Sequence, residues 1–205
     1  MIHKEKFGHE YLEMPRDQFM MLSKHVLNKP VIDAHGTKLG VISDVLITQT
    51  LCDALPACKH SFPTVSGMIV NKRFISWRSV VSFADYLLLK ERGFSLYPEP
   101  IPTDKIMLSK QILDEQMLDE NGKHIGCVDD LALAYDKENT VLKIIGICSG
   151  ISVRMGFNKL VDIFPWPCIK HIRFEKPTAI ILRSDAKKYK PMLKKSIKLK
   201  RVSAS

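Results

Sequence analysis

The sequence predicts an all-β protein made of two tandem small β-barrels, with minor helical segments and a flexible basic C-terminal tail. Three observations lead to that reading. Short apolar runs alternate with clusters of Gly, Pro, Asn and Asp, the pattern of short strands joined by tight turns, with little helical periodicity. The stretch "VIDAHGTKLGVISDV" at 31–45 recurs as "MLDENGKHIGCVDDL" at 117–131, so one strand-turn-strand plan is written twice. Eight of the nine excess positive charges fall after Asp185, which sets a nearly neutral body apart from a basic end.

The elements follow in order: an extension at 1–20, a first unit at 21–90, a linker at 91–105, a second unit at 106–184 and a tail at 185–205. Each unit opens on a segment with a turn of helix, "LSKHVL" and "LSKQIL", where Ser23 and Ser109 are expected as N-caps. The next hairpin turns at Gly36 in one unit and at Asn121-Gly122 in the other, where a tight turn needs positive φ. Gly40 and Gly126 then fall just inside the returning strand, the position of a bulge or of a close backbone approach.

A second strand pair follows in each unit: "VSGMIVNKRFISW", joined at Asn71-Lys72, and the more widely separated "VLKIIGI" and "LVDIFPW". Each unit closes on a short apolar strand, at 86–89 and at 179–182. Between the units Pro98, Pro100 and Pro102 exclude a regular strand ladder and predict an extended linker. Units of this size bury a modest share of their surface, so the two are expected to pack on each other.

The register of the repeat is constant. Gly122 lies 86 positions after Gly36, and the same spacing relates Leu22-Ser23-Lys24 to Leu108-Ser109-Lys110, Asp33 to Asp119, Gly40 to Gly126 and Asp44 to Asp130. Trp77 answers to Trp166 at a spacing of 89, the difference being loop length. Two copies make a tandem arrangement rather than a solenoid.

These residues resemble the PRC-barrel family, named for the photosynthetic reaction-centre H subunit. The resemblance rests on "LSKHVLNKPVIDAHGTKLGVISDVLI" with "FISWRSVVSFADYLLLK", and on "LSKQILDEQMLDENGKHIGCVDDLALA" with "IFPWPCIKHIRFEKPTAIILR". Gly36, Gly40, Asp44 and Trp77, then Gly122, Gly126, Asp130 and Trp166, occupy the motif positions. Two departures stand out: Ser76 replaces the proline expected before Trp77, and the loops at 49–64 and 149–160 are long. The resemblance implies an adaptor module and carries no catalytic residue with it.

Chemistry-bearing patterns are few. Cys52, Cys58 and His60 lack a fourth ligand at metal spacing, so no metal is expected. Asp119-Glu120 reads as a turn, and Asp129 and Asp130, adjacent on a strand, face opposite ways. The histidines, among them His35 and His171, are dispersed and expected to be solvent-facing or locally bonded. No nucleophile elbow, phosphate loop, zinc-protease helix or dinucleotide fingerprint occurs, so no catalytic residue, cofactor or small-molecule substrate is assigned. Trp77 and Trp166 are expected in the cores rather than at a ligand.

The sequence thus predicts a non-catalytic adaptor that binds a protein partner. The alternative is an RNA- or ribosome-associated factor using a polyanion-binding tail: Lys187, Lys188, Tyr189, Lys190, Lys194, Lys195, Lys198, Lys200 and Arg201. A weaker alternative is regulation at an anionic membrane surface, linked to ion transport. The charged N-terminal stretch "MIHKEKFGHEYLEMP" does not read as a signal peptide, and the scattered, odd-numbered cysteines suit a reducing compartment, so the cytoplasm is the expected location.

Overall fold

The computed structural model describes residues 19–48, 62–90, 100–150 and 162–184, and the chain is mostly β. Strand β1 (Phe19–Met21) runs into a wide helical turn, Leu22–Val26. Then come β2 (Pro30–Ile32), β3 (Lys38–Thr48), β4 (Gly67–Val70) and β5 (Arg73–Ser76), a 3-10 turn at Trp77–Ser79, β6 (Val80–Phe83) and β7 (Leu87–Leu89). A similar succession follows, with two strands standing where the first has the single strand β3: β8 (Lys105–Met107), a helical turn at Leu108–Gln111, β9 (Gln116–Leu118), β10 (His124–Cys127), β11 (Asp130–Asp136), β12 (Val141–Ser149) and β13 (Asp162–Pro165). A 3-10 turn at Trp166–Cys168, β14 (Ile169–Arg173) and β15 (Ala179–Leu182) complete it.

Among the described residues the strands form three sheets. One runs β5-β4-β3-β2-β7-β6 with β8 added on β3, the second runs β1-β11-β12-β13, and the third β10-β9-β15-β14. Their paths are open: among the described residues no pairing joins β5 to β6 or β13 to β14.

Local chemistry explains the turns. Asp33 accepts the N–H groups of His35 and Thr37 at 2.9 Å each, and Asp119 accepts those of Asn121 and Lys123 at the same distance. Each carboxylate thereby fixes the turn that Gly36 (φ +80°) or Gly122 (φ +79°) completes. Asn71 and Lys72, with φ +49° and +64°, make the tight turn between β4 and β5. The expected bulges are present: register shifts between Val31 and Ile32 opposite β3, and between His124 and Gly126 in β10. Ser76 keeps the extended φ of −63° that proline would impose, close to the −55° of Pro165, and its Oγ accepts the N–H of Arg78. Serine therefore replaces the proline without disturbing the turn.

The entry segments do not pair with the strands that follow them. β1 lies antiparallel on β11, Met21 opposite Ala132 and Met20 opposite Leu133, while β8 lies on β3, Met107 opposite Leu46 and Ile106 opposite Ile47. The two pairings are equivalent position by position at the spacing of 86. Lys105, read from sequence as the end of the linker, is the first residue of β8.

Further contacts join the halves. Val65 donates its N–H to the carbonyl of Leu142 at 2.8 Å, Ile144 donates to that of Pro63 at 2.9 Å, and Phe83 meets Tyr135 edge-on at 5.5 Å between centroids. One apolar cluster consequently contains residues of both, among them Ile42, Met68 and Trp77 with Leu131, Ile144 and Trp166.

Candidate functional site

Three carboxylates are buried among the described residues; Asp33 closes its own turn, and the other two, Asp44 and Asp130, reach across the molecule. Asp44 on β3 and Asp130 on β11 are 6% and 3% exposed, and a buried charge needs donors directed at it. Asp44 Oδ1 accepts the N–H of Ser109 at 2.8 Å and Oδ2 that of Lys110 at 3.2 Å; Oδ1 also accepts from its neighbour Val45 at 2.7 Å. Asp130 does the same for the other entry segment, taking the N–H of Ser23 at 3.1 Å, the Ser23 hydroxyl, and the N–H of Leu131 at 2.7 Å.

This arrangement corrects the expected capping. Ser23 and Ser109 lie inside their turns; the N-cap positions are Met21 and Met107, which supply no side-chain acceptor. The acceptor comes from the opposite half in each case. The available sequence signal was an acid directly before an apolar run, Asp44 before Val45-Leu46-Ile47 and Asp130 before Leu131-Ala132-Leu133, together with a serine at the matching spacing.

The remaining motif residues serve the scaffold. Gly40 (φ +147°) has no room for a side chain, since a Cβ would fall 2.8 Å from the Asn71 amide, which donates to the Leu39 carbonyl at 2.7 Å. A Cβ on Gly126 would fall as close, 2.8 Å from Ser149 Oγ. Trp77 and Trp166 are buried, and Trp77 Nε1 donates to the Thr140 carbonyl across the halves at 2.8 Å.

Of the other groups that carry chemistry, Cys148 is buried, and desolvation followed by the charges of Asp130 and Asp129 pushes its thiol far above the ordinary range. Cys127 is exposed, with Sγ 3.9 Å from His124 Nε2. Among the described residues no group of three or more His, Cys, Asp or Glu side chains could hold a metal, and no helix is long and apolar enough to cross a membrane. A cleft of about 170 Å³ is lined by Asp119, Glu120, Phe164 and Arg183, among others. Its charges are partly engaged, because Asp119 closes its own turn and Glu120 lies 3.4 Å from Lys170.

Strand edges are the more open surface. Among the described residues β6 ends its sheet, and the hairpin it forms with β7 exposes Val81 (49%) on the strand and Tyr86 (44%) in the turn. The tail from Lys187 to Arg201, the Cys52, Cys58 and His60 group and most of the two long loops lie outside the described residues. Compared with known proteins, the chain matches no protein-family model and no curated protein sequence.

Proposed function

We propose that the protein is a non-catalytic cytoplasmic adaptor, built of two PRC-barrel-like units and engaging a protein partner through a sheet edge. The observation that carries this reading is the β6–β7 hairpin. A terminal strand presents backbone donors and acceptors to an added strand, and exposed Val81 and Tyr86 supply apolar contact beside them. Asp44 and Asp130 favour the same reading, since both are committed to holding entry segments rather than facing solvent.

The test is affinity capture with the full chain and with Val81→Lys at matched thermal stability. The adaptor reading expects one stoichiometric partner whose retention falls by about tenfold or more in the variant. A partner held equally by both proteins contradicts it.

A second reading, a polyanion-binding tail directed at RNA, is favoured by the eight uncompensated charges after Asp185. It requires affinity for RNA that falls steeply with salt and is lost in a chain ending at Asp185.

A further inference from the structure

One backbone hydrogen bond in each entry segment distinguishes two otherwise equivalent anchors. The N–H of Met107, at the end of β8, donates to Gln111 Oε1 at 2.7 Å. The N–H of Met21, at the end of β1 and 86 positions earlier, donates to His25 Nδ1 at 2.8 Å. The geometry is the same and the acceptors differ in kind. An amide oxygen accepts at any pH, whereas an imidazole accepts only while neutral, because both ring nitrogens of imidazolium are donors.

We propose that His25 makes the anchorage of the first entry segment acid-sensitive: protonation removes the acceptor for Met21 and loosens β1 from β11, while β8 stays anchored on β3. The charges around the ring set the direction of its titration. Burial, then Lys24 and Lys29, hold the imidazole below its ordinary value, and Asp130 on β11 pulls the other way. The backbone hydrogen bond with Met21 also pulls upward, and burial with the two lysines outweighs both.

Because the folded value lies below that of the unfolded chain, near 6.5, the unfolded state binds more protons as pH falls through that value. Anchorage is therefore complete above about pH 6.5 and is lost as pH falls toward and through the folded value. Release has a defined consequence. Met21 packs on the small cluster of Ala132, Ala134, Ile145 and Cys148, and its Sδ lies 3.8 Å from Cys148 Sγ, so withdrawing β1 opens both the β11 edge and that thiol.

The test compares amide protection, corrected for intrinsic exchange, in residues 19–26 and 105–112 between pH 7.5 and 5.0. The full chain, His25→Gln and Gln111→His are each measured. Expected is a loss of protection of about fivefold or more in residues 19–26 of the unaltered protein, the value of one hydrogen bond. Residues 105–112 should hold, and His25→Gln should abolish the response. Gln111→His should transfer acid sensitivity to residues 105–112. An unchanged acid response in His25→Gln, or equal opening of both segments in the unaltered protein, overturns the proposal.

Discussion

Asp44 accepts the backbone N–H of Ser109 at 2.8 Å across 65 positions of sequence, and through that contact one half of the chain caps the helical turn that opens the other. Asp130 returns the contact to Ser23. The entry segments are thus exchanged, each holding its place by β pairing on one side and by a charged cap at the turn.

Removing either carboxylate strands backbone donors inside the protein. Asp44→Ala leaves the N–H groups of Ser109, Lys110 and Val45 without that acceptor, at an expected cost of about 2–3 kcal/mol by denaturant unfolding. Asp130→Ala is expected to cost a similar amount. A loss below about 0.5 kcal/mol in both would mean that the caps contribute little.

The two glycines of the first hairpin differ in what a side chain would meet. Gly36→Ala pays for positive φ alone, about 1 kcal/mol, since nothing lies within 4 Å of the added Cβ. Gly40→Ala adds a clash with Asn71, whose amide must leave the Leu39 carbonyl, so about 2–3 kcal/mol is expected. Thermal or denaturant midpoints of the two variants rank them directly, and Gly36→Ala proving the more costly would contradict the packing described.

Thiol chemistry separates cysteines by depth. In native protein at neutral pH, alkylation followed by peptide mapping should label exposed Cys127 readily and leave buried Cys148 unmodified until denaturant is added. Prompt labelling of Cys148 would place it elsewhere than beneath Met21.

The sequence made the turns and bulges legible because they depend on neighbouring residues. Asp33 with Gly36 and Asp119 with Gly122 encode their turns within four positions, and Gly40 marks its bulge by the same local logic. The exchange of β1 and β8 was not legible. A three-residue apolar strand satisfies the same alternation whether it lies on its own half or on the other, and long-range contacts, Asp44 with Ser109 and Asp130 with Ser23, distinguish the two placements. For the same reason local sequence points to Ser23 and Ser109, the nearest polar side chains, as caps, whereas the acceptors lie far away in sequence. Candidate binding surface was still harder to read, since Val81 is exposed by the position of β6 at the end of its sheet rather than by any motif.

Exchanged segments and a shared apolar cluster require the halves to unfold together. Trp77→Phe leaves Trp166 as the sole tryptophan, a reporter in the second half, while Asp44 lies in the first. The decisive measurement is denaturant unfolding of Trp77→Phe with and without Asp44→Ala, followed by Trp166 fluorescence and by far-UV circular dichroism. One transition is expected in both proteins, with the Trp166 midpoint and the dichroism midpoint lowered by the same amount when Asp44 is removed. A Trp166 transition that stays in place while the dichroism curve splits in two would contradict an interlocked fold.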